Sequence, residues 1–325
     1  MIAQVEVSTH CNAMCTYCPV TIYRSQWDSR FIDTTLFSKI IHEGIDIIKH
    51  IHLQGWGEPL LHPHFSHLLK EASRLYKTSF TTNATLLSRL ADRIIEAGVD
   101  VMAVTFAGAK EETHDRIRVG NPLRLVTHNL KAFIERARSN KPHVVAIYMM
   151  LRDTVEELPQ FVDLAAAIGV DEIRLSNLSY IPHPDLWHLK VYSPFFKPPP
   201  PHVLSIIQTA KEKAEKYGIK ISHRNYTPIE HVECPESPTT TIYIDVKGNV
   251  APCPYLSLTG AIRCFEGKCE KLPKVTYGNL YESSLKEILK SRNFKIFTDK
   301  FRKRTNELFA PPPDECTKCY RLYWI

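Results

Sequence analysis

Nine cysteines lie in two groups near the two ends of this chain of 325 residues. Three fall within residues 11–18, six follow residue 233, and the 215 residues between Cys18 and Cys234 contain none. The chain begins without a basic stretch followed by an apolar run, so we expect no signal peptide and a cytoplasmic location. In that compartment metal binding is a more common use of clustered cysteines than disulfide formation. The distribution therefore predicts two separate metal sites.

The hydrophobic pattern of the first two-thirds of the chain predicts an α/β fold. Six β-like runs are expected at residues 3–8, 50–54, 78–82, 100–106, 143–150 and 172–176. Helix-like stretches lie between them at residues 34–48, 64–76, 88–97, 123–137 and 155–168, several with a glycine near the end. Successive βα units favour a parallel sheet with helices outside, which can close into a complete or partial barrel. The active site of such a fold lies at the carboxyl ends of the strands.

The pattern changes after residue 176. Residues 181–201 contain seven prolines, and we interpret them as an extended connector or lid. A helix at 202–217 and a short strand at 219–222 are expected next. Residues 241–252 predict a hairpin with its turn at Lys247-Gly248-Asn249, and residues 284–301 predict one or two basic helices.

Composition narrows the classes of function. Hydrophobic residues make up 44% and charged residues 23% of the chain, which is typical of a globular protein. No run of 18 apolar residues exists, so we expect no membrane span. The formal net charge of +6 suits an anionic substrate or an acidic electron donor. A nucleic-acid partner is not expected, because the aromatic and basic interleaving of single-strand binders is missing.

The first cysteine group reads Cys11-Asn-Ala-Met-Cys15-Thr-Tyr-Cys18 and follows the first predicted strand. Soft thiolates in such a loop can hold one iron-sulfur cluster, and three ligands leave one iron open. The spacing resembles that of the radical S-adenosylmethionine (SAM) superfamily. This resemblance implies that SAM binds the open iron and is cleaved to methionine and a 5′-deoxyadenosyl radical, which takes hydrogen from a substrate. A zinc site or a chance grouping is the alternative.

A second motif, Gly55-Trp56-Gly57-Glu58-Pro59, follows the second predicted strand and resembles the G-G-E-P element of that superfamily. The resemblance implies that Gly55, Gly57, Glu58 and Pro59 surround the SAM amino group. Glycine suits a place where backbone must approach a ligand closely. Trp56 departs from the family pattern, which has glycine there.

Further contacts with SAM are implied at the ends of other strands. The resemblance places Tyr17 and Leu175 against the adenine, with Asn177 as another candidate. It places Asn83, after Thr82, and Thr105 near the ribose or methionine, and Arg152 opposite the SAM carboxylate. For each of these residues, a structural turn or a solvated side chain is the alternative. Residues 112–118 also resemble a segment common in the family, with a solvated helix face as the alternative. Three histidines near the glycine motif are more typical of structural residues than of metal ligands: His52, His62 and His64.

The second cysteine group has an order that resembles SPASM and twitch domains. Its parts are Cys234, the hairpin ending in Cys253, a Gly278-Asn279 element and the pair Cys316-Thr-Lys-Cys319. The resemblance implies one auxiliary 4Fe-4S cluster held by Cys234, Cys253, Cys316 and Cys319, or two clusters, with a zinc site as the alternative. Cys264 and Cys269 lie in an apparent insertion and are open to a ligand role, a local disulfide or free thiols.

These features together predict a radical SAM oxidoreductase. We expect a partial (β/α)6 TIM-type barrel at residues 1–180, a proline-rich connector and helix at 181–233, and a small cysteine-rich α+β auxiliary-cluster domain at 234–325. A peptide or protein is the favoured substrate. The alternatives are a small molecule or cofactor, as in tungsten-cofactor maturation, and an iron-sulfur electron carrier without SAM chemistry.

Partners and pocket residues are expected from position. Reduced ferredoxin or flavodoxin is the expected electron donor, docking on the basic stretch of residues 286–304, whose alternative is a solvated helix face. Four residues of the connector region are candidates for lining the substrate pocket: Tyr180, His183, Asp185 and Trp187. No catalytic acid or base can be named from the sequence.

Overall fold

The strands form one large sheet and two small ribbons in the computed structural model, which describes residues 1–192, 197, 200–307 and 310–325. In chain order the strands are β1 (Ile2–Val5), β2 (Met14–Cys15), β3 (His50–Leu53), β4 (Lys77–Thr82), β5 (Val101–Phe106), β6 (Arg118–Val119), β7 (His143–Met150), β8 (Glu172–Asn177), β9 (Lys220–His223), β10 (Thr241–Ile244), β11 (Asn249–Ala251), β12 (Ile262–Phe265), β13 (Lys268–Lys271) and β14 (Gly278–Asn279).

The helices follow the strands along the chain. In order they are α1 (Pro19–Ile22), α2 (Thr34–Glu43), α3 (Phe65–Ser73), α4 (Leu87–Ala97), α5 (Glu111–Ile117), α6 (Leu123–Ala137), α7 (Leu158–Ile168), α8 (Pro201–Lys216), α9 (Pro254–Ser257), α10 (Leu285–Ile288) and α11 (Arg292–Asn306). Among the described residues, no helix is long and apolar enough to cross a membrane.

The large sheet has the strand order β14-β11-β10-β1-β3-β4-β5-β7-β8-β9. The six predicted barrel strands β1, β3, β4, β5, β7 and β8 run parallel, which confirms the expected α/β partial barrel. The parallel run is longer than predicted, because β9 pairs with β8 and β10 pairs with β1, both in parallel. In the described part of this sheet, only the pairings of β10 with β11 and of β11 with β14 are antiparallel.

The two faces of the sheet differ in chemistry because successive side chains of a strand point to opposite sides. One face carries the large apolar side chains that pack under the helices, such as Phe80, Phe106 and Tyr148, all fully buried. The other face carries polar side chains, among them His52 and Arg174. Burial of the first face stabilises the barrel, and the second face is left to line a cavity.

Helix ends follow the local sequence. Asp33 caps α2 by accepting hydrogen bonds from the backbone N–H groups of Thr35 and Leu36. Gly98 and Gly169 end α4 and α7 with φ of 69° and 91°, a conformation that glycine adopts without a Cβ clash. The predicted helix at residues 34–48 is too long, since α2 ends at Glu43.

The connector differs in part from its prediction as an irregular segment. Residues Pro184–Leu189 form a 3-10 helix that begins at a proline, which lacks the N–H that the first turn leaves unpaired. Residues 193–196 and 198–199 lie outside the described part of the chain. The helix α8 and the strand β9 then follow as expected.

The C-terminal segment is joined directly to the barrel. The expected hairpin is formed by β10 and β11, with Gly248 in its turn at φ 78°, and β10 extends the barrel sheet beside β1. The basic region forms two helices, α10 and α11. Cys264 and Cys269 face each other across the ribbon of β12 and β13 and form a disulfide. Of the alternatives that the sequence left open for this pair, the structure has the local disulfide.

Candidate active site

The N-terminal cysteine loop lies at the carboxyl end of β1. Cys15 is in β2, which pairs with β6 so that Cys15 lies opposite Arg118. The backbone N–H of Cys18 donates to the carbonyl of Cys15 at 3.0 Å, which closes a tight turn between the two thiols. Cys11 precedes this turn and is partly buried. Backbone pairing therefore gathers the three sulfurs on one loop.

The environment of Cys11 and Cys18 disfavours free thiolate. Burial, with smaller contributions from Glu58 and Cys15, raises the pKa of Cys11 to about 11 against the lowering effect of a backbone hydrogen bond from Ala13. Burial and the nearby Cys15 raise the pKa of Cys18 to about 12. Buried thiols ionise readily only when a cation takes up the charge, as in metal coordination. The loop therefore fits an iron-sulfur cluster bound by Cys11, Cys15 and Cys18.

Arg118 supplies positive charge beside this loop. It is 5% exposed, and its Nη1 donates to the hydroxyl of Tyr17 at 3.0 Å while its Nε donates to Asn121 at 3.4 Å. Its guanidinium lowers the pKa of both Cys11 and Tyr17, although burial is the larger influence and leaves both pKa values raised. A buried cation at this position offsets the charge that three thiolates and a cluster bring. The sequence left two interpretations open for residues 112–118. In the structure this segment ends at Arg118, beside the cysteine loop.

Glu58 is a buried carboxylate, 3% exposed, beside the same loop. It accepts hydrogen bonds from the hydroxyl of Thr82 at 2.6 Å and from the backbone N–H groups of Asn83 and Leu60 at 2.7 and 3.1 Å. Burial raises the pKa of Glu58 to about 7, against the lowering effect of these three donors and of Arg118. Three hydrogen-bond donors therefore hold the carboxylate in one position beside the cysteine loop.

The two glycines of this motif are required by the protein's own packing. A Cβ on Gly55 would overlap the side chain of Glu6, and a Cβ on Gly57 would overlap the backbone of Ser8 and His10. The sequence argument had assigned these glycines to close approach of a ligand. The structure shows that neighbouring protein atoms already exclude a side chain there.

Trp56, the departure from the family pattern, connects the two ends of the chain. Its backbone N–H donates to Glu6 at 2.9 Å, and its indole N–H donates to the carbonyl of Pro254 at 3.2 Å, directly after Cys253. Its ring also contacts Tyr180 and Tyr255, with centroid separations of 5.8 and 5.7 Å. A glycine could make none of these side-chain contacts.

The other residues expected to contact SAM occupy different positions. Tyr17, Leu175 and Asn177 line one cavity of about 310 Å³. Asn177 donates to the carbonyl of Asn225 at 3.0 Å, and its Oδ1 is buried with no partner in the described part of the chain. Such an orphaned acceptor suits a ligand amino group. Asn83 lies beside Glu58 and donates to Asn12 at 2.8 Å.

Thr105 and Arg152 stand apart from that group. Thr105 is partly buried near the end of β5. Arg152 is exposed and lines a larger cavity of about 1140 Å³ together with Trp187 and Lys190. Of the four connector-region candidates, Tyr180 lines the cavity that Cys18 also lines, and Trp187 lines the larger cavity. The side chain of His183 is half-exposed and that of Asp185 is exposed.

Tertiary folding gathers the four late cysteines from three separate stretches of chain. Cys253 and Cys316 are partly buried, and each has its pKa raised well above the usual range by burial first and then by neighbouring groups that include Cys234 and Cys319. Burial raises the pKa of Cys234 to about 12, with Glu236 and Cys319 adding to it. Thiols that influence the pKa of one another in this way lie in one region of the structure. This set fits one closed four-thiolate cluster site.

Single-ion binding is a different case from cluster binding. Within residues 1–192, 197, 200–307 and 310–325, no group of three or more His, Cys, Asp or Glu side chains is placed to hold a metal ion. His52, for example, hydrogen-bonds to Ser79 at 2.7 Å and to Gln54 at 2.7 Å, and His62 hydrogen-bonds to the carbonyl of Ile32 at 3.0 Å. These histidines have the structural role that the sequence favoured.

The cavity of about 310 Å³ lies between the two cysteine groups. Tyr17 and Cys18 form one side of it, and Pro254 and Tyr255, directly after Cys253, form another. Three aromatic rings, those of Trp56, Tyr180 and Tyr255, contact one another along its wall at centroid separations of 5.6 to 5.8 Å. The cavity therefore adjoins the first cysteine loop and the segment that follows Cys253.

Sequence reasoning missed the charged residues of this cavity. They are Arg174, Arg224, Glu236 and Arg321. Glu236 lies two residues after Cys234 and Arg321 two residues after Cys319, so proximity to the metal-ligand motifs was a usable signal. Arg224 had no such signal, because it follows β9 in a region without recognisable motifs. The buried Glu6, whose pKa burial raises to about 7, was also missed.

Comparisons with known proteins agree with this geometry. The family model described as the radical SAM superfamily matches residues 5–165, and that of an iron-sulfur cluster-binding domain, SPASM, matches residues 234–320. The chain is 25% identical to the tungsten-containing aldehyde ferredoxin oxidoreductase cofactor-modifying protein of Pyrococcus furiosus, over 97% of this chain and 86% of that protein.

Two further proteins show more limited likeness. The PqqA peptide cyclase of Granulibacter bethesdensis is 24% identical over 54% of this chain, and the match spans 46% of that cyclase. The crystal structure of Streptococcus suis SuiB bound to S-adenosylmethionine has the same fold, with a TM-score of 0.66 at 14% identity, over 99% of this chain and 69% of that one.

Proposed function

This chain belongs to the radical SAM superfamily and carries a C-terminal SPASM iron-sulfur domain, and from that premise we propose that it is an oxidoreductase acting on a substrate held between two clusters. When bound, the first cluster supplies the electron that cleaves SAM to methionine and a 5′-deoxyadenosyl radical, which takes hydrogen from the substrate. The observation that carries the proposal is the cavity with Cys18 on one side and the segment after Cys253 on the other.

We assign the residues around the cavity as follows. Cys11, Cys15 and Cys18 hold the first cluster, and Arg118 offsets its charge. Glu58, kept in place by Thr82 and Asn83, receives the SAM amino group, and the unpaired Oδ1 of Asn177 accepts from the adenine amino group. Thr105 and Arg152 are proposed SAM contacts on family resemblance alone.

The auxiliary site completes the proposal. Cys234, Cys253, Cys316 and Cys319 hold one 4Fe-4S cluster, which accepts an electron from the substrate after hydrogen removal or binds the substrate. The disulfide between Cys264 and Cys269 leaves that pair out of the ligand set. A reduced ferredoxin or flavodoxin is the proposed electron donor.

A peptide or protein is the first candidate substrate, as the sequence analysis expects. The PqqA peptide cyclase supports this candidate, although that match covers about half of each chain. A small molecule or cofactor is the second candidate. It is favoured by the match over nearly the whole chain with a protein named as modifying a tungsten-enzyme cofactor, and by the modest size of the cavity.

The chemistry is tested by anaerobic incubation of the reconstituted protein with SAM and dithionite. We expect 5′-deoxyadenosine to form, and about eight irons per chain, four for each cluster. The Cys11→Ala/Cys15→Ala/Cys18→Ala variant should form none and keep about four irons. The Cys264→Ser/Cys269→Ser variant is the control and should keep all eight. Intact clusters without 5′-deoxyadenosine in the wild type would favour an electron carrier.

The substrate class is tested by hydrogen transfer. A uniformly deuterated cell extract is fractionated and added to the protein with unlabelled SAM, and deuterium is measured in the 5′-deoxyadenosine. Prior protease digestion should abolish the transfer if the substrate is a protein or long peptide, and should leave it intact if the substrate is a small molecule.

A further inference from the structure

Two arginines lie on the auxiliary-cluster side of the cavity between the cysteine groups. Arg224 directly follows β9, and Arg321 lies two residues after Cys319. Arg321 is paired, since its Nε donates to Glu236 at 2.7 Å and its Nη2 donates to the same oxygen. The charge of Arg321 is therefore already balanced by a carboxylate of the protein.

Arg224 has no comparable partner. Its Nη1 is buried and makes no hydrogen bond within the described residues. Arg174, which lines the same cavity, pairs with Glu172 at 3.4 Å. Among the described residues that line this cavity, Arg224 is thus the arginine with a buried guanidinium nitrogen that makes no hydrogen bond. A buried donor without a hydrogen-bond acceptor lowers the stability of the fold, and more so on a charged group. Such a donor is therefore expected where a ligand supplies the acceptor.

The auxiliary cysteines offer another explanation for Arg224. Burial and Arg321 lower the pKa of Arg224, and Glu236, Tyr255 and Cys234 oppose this, so a cluster at Cys234 would add to the negative charge near it. However, Nη1 makes no hydrogen bond to any thiol, and it belongs to a residue that lines the cavity. A role in substrate binding and a role in cluster retention predict different results, which the experiment below separates.

The residues that line the cavity together with Arg224 limit which ligand can bind there. Tyr17 and Cys18 line the cavity on the side of the first cysteine loop, and the aromatic wall of Trp56, Tyr180 and Tyr255 also lines it. Because these residues and Arg224 line one cavity, a ligand bound at Arg224 shares that space with the three rings and with Cys18.

We propose that Arg224 binds an anionic group of the substrate, a carboxylate or a phosphate, and holds the substrate by that group in the cavity. The planar guanidinium suits both anions because each can accept two parallel hydrogen bonds from it. The interpretation of this anion as part of the substrate rests on the proposed function. The binding of an anion at Arg224 does not, and it can be measured without turnover.

The test is calorimetric titration of the cluster-reconstituted protein at low ionic strength. The probes are inorganic phosphate, N-acetylglycine and the uncharged N-acetylglycinamide. The wild type should bind at least one of the two anions and not the amide. Arg224→Gln should weaken anion binding by about 10- to 100-fold, the range expected for a charge-assisted hydrogen bond, and Arg224→Lys should give an intermediate value. Arg302→Gln, which changes an exposed arginine paired with Asp299, is the matched control and should bind like the wild type.

Each outcome decides the question. Stronger binding of phosphate supports a phosphorylated small molecule, and stronger binding of N-acetylglycine supports a peptide carboxylate. The proposal fails if the wild type binds neither anion, if Arg224→Gln binds as tightly as the wild type, or if Arg224→Gln loses iron, which would assign Arg224 to the auxiliary cluster. A wild type that binds the anion but forms no 5′-deoxyadenosine would contradict the proposed function and leave this site intact.

Discussion

Replacing Glu58 with glutamine tests the proposed SAM site most directly. Glu58 is 3% exposed and accepts hydrogen bonds from one threonine hydroxyl and two backbone N–H groups. Glutamine keeps the shape and removes the charge. Loss of one charge-assisted hydrogen bond to an ammonium group, worth about 1.5 to 3 kcal/mol, should raise the dissociation constant for SAM by about 10- to 100-fold.

The same change also affects folding, because the amide nitrogen of glutamine would face a backbone N–H. One buried donor is then unsatisfied, at a cost of about 1 to 3 kcal/mol in the free energy of unfolding. The chain provides a matched control in Glu157, 8% exposed, which also accepts from one threonine hydroxyl and two backbone N–H groups. Glu157→Gln should lower stability by a similar amount without changing the affinity for SAM.

The assay is equilibrium dialysis of radiolabelled SAM against the anaerobic, reconstituted proteins, with thermal unfolding measured in parallel. We expect weak SAM binding for Glu58→Gln alone, and reduced thermal stability for both variants. If Glu58→Gln binds SAM within twofold of the wild type, the carboxylate does not meet the SAM amino group. Equal weakening by Glu157→Gln would show that the effect comes from lost stability.

Three other predictions concern the contacts that support the site. Trp56→Phe removes the hydrogen bond to Pro254 and should lower the free energy of unfolding by about 1 kcal/mol in chemical denaturation, with Trp27→Phe as a comparison for loss of an indole donor. Burial lowers the pKa of His52 to about 4, below its usual value near 6.5, because the folded protein disfavours the charged imidazole. The free energy of unfolding should therefore fall as the pH drops from about 6.5 to 4, by a total of about 3 kcal/mol. His52→Gln should flatten that part of the pH profile in thermal unfolding, and an unchanged slope would contradict the assignment. Arg304, 3% exposed, donates to the backbone just before Cys234, so Arg304→Met should speed loss of iron from the auxiliary site, measured by chelation, and a rate equal to the wild type's would count against that role.

The sequence alone predicted the architecture of the protein and the general class of its chemistry. Three thiols within eight residues must share one loop, and their spacing together with the family resemblance predicted a cluster with one open iron. Alternation of strands and helices was likewise enough to predict the partial barrel, because burial of an apolar face produces a local periodicity. Glu58 was found because the short motif that contains it resembles the G-G-E-P element of the superfamily.

Tertiary structure alone decided what lies between the two cysteine groups. Cys234, Cys253 and the final pair come together because β10 joins the barrel sheet beside β1, a pairing that joins residues about 240 positions apart in the sequence. Arg224 and Glu236 became neighbours in one cavity through the same folding, and neither carries a local pattern. Contacts between distant residues depend on packing of the whole chain, so no spacing in the sequence encodes them directly.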